Sequence, residues 1–152
     1  MRLSLILTFV GLVSAIGGGQ AIAQSNDVLA RVRQAAEVCH ASVTAASADR
    51  PEVWRRASAA GFVQPAPDQP REWKGDGMTV QLEPLNLACK VTVSGPGLRP
   101  TAIISTVGDW ARSAGFVAGQ HPRFPISMES ADHYLDGRAW PDRFAFELGW
   151  LD

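Results

Sequence analysis

Cys39 and Cys89 are the only cysteines in the chain's 152 residues, and each sits in a stretch whose apolar pattern turns it inward. Val28, Val32, Ala35, Ala36, Cys39 and Val43 recur at helical spacing, so they form one stripe of a helix predicted over 27–46. Leu87, Cys89, Val91 and Val93 alternate with Ala88, Lys90 and Thr92, as one face of a half-buried strand does. A bridge between the two sulfurs would tie that helix to the sheet and join the layers of the fold. It should stabilise by roughly 4 kcal/mol in the chain-entropy model, a sizeable part of a margin of about 5–15 kcal/mol. The alternative is two separate buried thiols.

A bridge needs an oxidising compartment, and the beginning of the chain points to one. Arg2 supplies a positive charge, no charged side chain follows from Leu3 to Asn26, and the densest apolar stretch covers 3–16. Gly17, Gly18 and Gly19 interrupt it, at about 1 kcal/mol each relative to alanine in a helix. Ala21-Ile22-Ala23 completes the layout of a secretory leader, with cleavage expected after Ala23. The alternative, an uncleaved anchor, needs roughly 20 apolar residues, and this segment is short and glycine-rich. We therefore expect a leader at 1–23, a single domain at 24–152, a periplasmic or secreted destination, and no stable membrane insertion after cleavage.

The chain carries 14 basic and 15 acidic residues, and loss of Arg2 leaves the remainder slightly acidic. That balance provides no basic footprint for nucleic acid.

Asp49-Arg50-Pro51-Glu52 announces a second helix, with Val53, Trp54, Ala57 and Ala60 as its apolar face. Gly61 suits the left-handed position that ends a helix, and Phe62 can fold back on the last turn. The stretch 64–77 reads as a loop. Met78, Val80 and Leu82 alternate with polar residues and pair with the Cys89 strand as an antiparallel hairpin. Pro100-Thr101 opens a third helix, in which Ile103, Ile104, Val107, Trp110, Ala111 and Ala114 share a face. Short strand-like pieces follow: Phe124, Ile126 and Met128, then Tyr134-Leu135 leading into Asp136-Gly137, which reads as a turn. Phe144, Phe146, Leu148 and Trp150 line one side of a closing strand. The predicted fold is α+β, a small two-layer domain of four or five antiparallel strands with the helices packed on one face. Ala-Gly-Phe-Val recurs at Ala60–Val63 and Ala114–Val117, which hints at a duplicated helix-then-strands unit, although the two downstream halves do not otherwise align.

No motif carries an identifiable chemistry. The nucleophile elbow, the zinc-protease helix and the phosphate-cradling glycine loop are all missing from the sequence, and we expect neither cofactor nor metal. His40 beside Cys39 would lower the thiol's pKa if that cysteine were free. His133 lies among Glu129, Asp132 and Asp136, a potential acid–base cluster whose spacing matches no metal pattern. Trp73 and Trp140 fall in predicted loops beside Arg71 and Arg138, and tryptophan with arginine is the pairing enriched at binding hot spots. Core-edge packing is the alternative for both rings. The residues singled out for binding are Trp73, Trp140, Arg71, Arg138 and His133. The function they suggest is a non-catalytic binding or accessory protein, acting on an envelope protein, peptide or glycan. Two further readings are a small hydrolase using His133 with neighbouring carboxylates, and a thiol-active protein using Cys39.

Overall fold

The structure is a computed structural model that describes residues 17–44, 50–63, 72–75, 77–82, 88–96, 98–120 and 124–151. Most of the expected leader and Arg71 lie outside those residues. Among the described residues three helices, α1 (Gly17–Thr44), α2 (Arg50–Ala59) and α3 (Pro100–Ser113), accompany seven strands: β1 (Glu72–Gly75), β2 (Met78–Leu82), β3 (Ala88–Ser94), β4 (Val117–Ala118), β5 (Ile126–Glu129), β6 (His133–Ala139) and β7 (Arg143–Trp150). The strands form one antiparallel sheet in the order β1-β2-β3-β7-β6-β5-β4. This is the expected α+β layout, with more strands than the four or five read from the sequence.

Cys39 and Cys89 are disulfide-bonded, with Cα atoms 5.4 Å apart and 50 residues between them in sequence. Because Cys39 is on α1, the bridge identifies the face of the sheet that the helices cover. Side chains directly opposite each other in a ladder share a face, so Leu82, Cys89, Leu148, Leu135 and Met128 make one buried row across the sheet. Val80, Val91 and Phe146 extend it, and Val32, Ala35, Ala36 and Val43 of α1 close over them. Each large apolar side chain taken out of water contributes about 1.5–3 kcal/mol. Among the described residues no helix is long and apolar enough to cross a membrane.

Helix α1 begins at Gly17, ten residues before the expected start at Asp27. Once past the three glycines, Gln20 to Gln24 contains good helix formers, and no proline separates them from the amphipathic stretch. Arg31 joins α1 to α2: its guanidinium donates to the carbonyls of Ala60 and Gly61 and lies 4.9 Å from the centre of the Phe62 ring. A cation there also meets the negative end of the α2 dipole.

Both short helices end in the same way. Gly61 (φ 78°) and Gly115 (φ 90°) take the left-handed conformation. The Phe62 N–H donates to the Ala57 carbonyl at 3.0 Å, and that of Phe116 to Ala111 at 2.9 Å. Gly61 donates to Ser58 and Gly115 to Arg112, completing two Schellman motifs. Val63 then bridges Lys74, as Val117 pairs with Glu129. Continuing the register matches β1 with β5, β2 with β6, and β3 with β7. The central pairing closes the relation: Val91 opposite Phe146 becomes Leu148 opposite Cys89, and Lys90 opposite Glu147 maps onto itself. The fold is therefore a duplicated helix-then-strands unit with a pseudo-two-fold axis at the Lys90–Glu147 pair, and among the described helices α1 alone has no counterpart.

Four sequence expectations need correction. The stretch 64–77 is not all loop, because β1 occupies its end and Trp73, alternating with Glu72 and Lys74, is buried in the core. Asp136-Gly137 is no turn but the middle of β6. Gly137 is there for close packing: a Cβ would crowd Ile126 and come within 2.9 Å of Phe144 Cζ. The actual turn is Pro141-Asp142, closed by the Trp140 N–H donating to the Arg143 carbonyl at 2.8 Å. Trp54 and Trp150, read from the sequence as part of the apolar faces of their elements, are each 43 % exposed. The inward stripe of α2 is only Val53 and Ala57, and Trp150 ends β7 where the helix layer no longer covers it fully.

Candidate functional site

The face of the sheet opposite the helices carries the polar partners of the buried rows. One such row reads Gln81, Lys90, Glu147, Asp136, Ser127 across β2, β3, β7, β6 and β5. Chiefly on the second unit's half of this face, and reaching Lys90 of β3, lies a cleft of about 560 Å³, lined among others by Phe124, Tyr134, Asp136, Arg138, Trp140 and Glu147. It continues past Phe124, Arg138 and Trp140 into a second hollow bounded by Pro125 and Ala139.

Strand alternation places Tyr134, Asp136 and Arg138 on this face, and the Pro141-Asp142 turn holds Trp140 at its end. Tyr134 lies down across β7 and donates from its hydroxyl to Glu147 Oε1 at 2.5 Å. That pose requires Gly149, directly opposite on β7, because a Cβ there would fall 2.7 Å from Tyr134 Cε1. Glu147 stands between Lys90 on one side, an opposite charge, and Asp136 on the other, a like charge. Like charges directly opposite in a ladder disfavour folding, and the Lys90 ammonium and the Tyr134 hydroxyl beside Glu147 act against that repulsion. Asp136 Oδ1 and Ser127 Oγ, across from each other on β6 and β5, are buried without a hydrogen-bond partner among the described residues. Arg138 lies 4.6 Å from the centre of the Phe124 ring and Arg143 4.8 Å from that of Trp140, cation–π contacts that orient both rings.

Of the residues singled out from sequence, the structure brings Trp140 and Arg138 together in this cleft. Trp73 is on the other side of the sheet, 2 % exposed beneath the helices, and cannot be offered to a partner. Arg71 lies outside the described residues. His133 also faces the helix layer, 8 % exposed. Its ring centre is 4.3 Å from that of Trp150 and 6.2 Å from that of His40, and His40 in turn packs against Trp110 and Phe116. Burial holds the pKa of both imidazoles below the ordinary value; His133 adds to the lowering at His40, while Asp132 acts against it at His133. Glu129 and Asp136 belong to the opposite face, so the sheet separates them from His133. Among the described residues no three histidine, cysteine, aspartate or glutamate side chains cluster in a way that could hold a metal ion. Both cysteines are consumed by the bridge, which leaves His40 no thiol to activate.

Sequence reasoning missed Lys90, Tyr134, Glu147 and Phe124 as site residues. The first and third were visible as the polar positions of alternating strands. What was missing was the pairing that makes them neighbours. Comparison with protein-family models, curated proteins and solved structures returned no match, so the site is read from its own residues.

Proposed function

We propose that the chain is an exported, non-catalytic binding module of the periplasm or extracellular space, which holds an envelope component in the cleft on the helix-free face. The observation that carries this reading is the convergence of Trp140, Arg138, Tyr134 and Phe124 around Asp136 and Glu147 on the face of the sheet opposite the described helices. Aromatic area beside oriented hydrogen-bonding groups is what a binding hot spot needs. A sheet face also supplies rigid positioning. Export is supported by the leader layout before Gln24 and by the disulfide.

The test is retention of an envelope fraction on the immobilised domain, compared between the natural chain and Trp140→Ala/Arg138→Ala. Arg138 is near the end of β6 and Trp140 in the turn that follows, neither in the buried core, so the variant should melt within a few degrees of the natural chain while its capture falls at least tenfold. Equal capture by the two proteins would remove the cleft from the account.

A further inference from the structure

We infer that the occupant of this cleft is an uncharged glycan chain, an assignment that rests on the binding-module reading and specifies its ligand. The floor of the cleft is the middle of a sheet. The backbone N–H and C=O groups of β3, β7, β6 and β5 there are already consumed by the ladder. An extended peptide takes much of its affinity from main-chain hydrogen bonds at a free strand edge, and this surface has none to give. Its occupant must be recognised by side chains alone, through ring contacts and polar groups projecting from the sheet.

The polar groups limit the charge of that occupant. Lys90 and Arg138 are matched by Asp136 and Glu147 within the same cleft. A polyanion such as a nucleic acid or acidic polysaccharide would meet two carboxylates on the floor, and a polycation would meet the two basic groups. A neutral chain meets neither penalty, and its hydroxyls can donate and accept in the same place. Among the described residues Asp136 Oδ1 lacks a donor, a deficiency that a sugar hydroxyl or acetamido N–H can fill. Arg138 and Lys90 donate to ring and hydroxyl oxygens. Sugar rings have apolar C–H faces that stack on aromatic side chains, here Tyr134 at one end and Trp140 at the other.

Length points to a chain rather than a single sugar. Tyr134 is the second residue of β6 and Trp140 follows its last, so their Cα atoms stand roughly 20 Å apart at the rise of an extended strand. One sugar cannot reach both. The continuation of the cleft past Phe124 also leaves room for the chain to run on.

The experiment titrates the domain with three neutral hexasaccharides, of β-1,4-linked N-acetylglucosamine, β-1,4-glucose and α-1,4-glucose, while tryptophan emission is followed. The matching monosaccharides, an oligomannuronate and a neutral decapeptide serve as comparators. At least one hexasaccharide should give a saturable change with an affinity at least tenfold above its monosaccharide, and Trp140→Ala should lower that affinity at least tenfold. Asp136→Ala, a substitution away from the core, should do the same and provides the answer should Trp140→Ala fail to fold. No saturable response to any hexasaccharide, or one indifferent to Asp136→Ala, overturns the glycan assignment. Binding of the decapeptide or oligomannuronate alone, lost in Asp136→Ala, overturns it too while leaving the binding module standing. Failure of envelope capture to depend on Trp140 and Arg138 is the separate result that would remove the module itself.

Discussion

The two units of the sheet share a backbone plan but carry different chemistry on their open faces. Beneath the helices their residues correspond closely: Val53 with Val107, Ala57 with Ala111, Phe62 with Phe116, Val80 with Leu135, all buried. On the open face, Thr79, Gln81 and Thr92 of the first unit stand where the second has Tyr134, Asp136 and Gly149. The buried positions are held alike by packing, since interiors tolerate little change of volume. The open positions are free of that demand, and the second unit carries an aromatic ring and a carboxylate there where the first has threonine and glutamine. Two solutions on one scaffold thus separate what holds the fold from what the fold presents.

The largest effects should fall where the units agree. Phe62→Ala and Phe116→Ala each remove a buried ring from an equivalent helix stop, at about 3–5 kcal/mol apiece, and chemical denaturation should place the two losses within about 1 kcal/mol of each other. A large inequality would show that the correspondence is one of shape only. Cys39→Ser/Cys89→Ser should cost up to roughly 4 kcal/mol in the same measurement. Because the bridge attaches unpaired α1 to the first unit alone, hydrogen exchange should quicken most in α1 and β3. Gly149→Thr, which installs the first unit's residue in the second, drives a Cβ into Tyr134. Overpacking of this kind costs about 1–3 kcal/mol, and the displaced ring should lower cleft affinity at least tenfold, as titration of the variant would show.

The smallest difference concerns acid. His133 occupies the place of Met78 in the first unit, and both His133 and His40 have pKa values lowered from the ordinary 6.5. The unfolded chain then binds protons more readily than the folded one, so this contribution to stability is complete above pH 6.5 and is lost as the pH falls below it. The urea midpoint should drop between pH 7.5 and 5, and His133→Met should reduce the drop. An unchanged pH dependence in that variant would assign acid sensitivity elsewhere.

Much of the architecture was legible because it follows from local patterns. The stripe containing Cys39, the alternation around Cys89 and the glycine-phenylalanine stops each express one physical rule, and together they led to the disulfide and hinted at the duplication. Trp73 was misplaced because prolines and glycines nearby suggested a loop, while its own Glu-Trp-Lys alternation spans too few residues to stand out. Asp136-Gly137 misled for a different reason: glycine marks both a turn and a place where two side chains close over a strand, and only the neighbouring Ile126 and Phe144 decide which. The cleft was half visible. Trp140 and Arg138 are neighbours in sequence, but Lys90, Glu147 and Asp136 meet only through strand order, which no short window contains.

The most direct test sets the open faces against each other by measuring envelope capture for Tyr134→Ala/Asp136→Ala and for the equivalent first-unit pair, Thr79→Ala/Gln81→Ala. Capture should fall at least tenfold in the former and stay within twofold of the natural chain in the latter. Equal loss in both, or loss only in the first-unit variant, would contradict a binding site built chiefly from the second unit's open face.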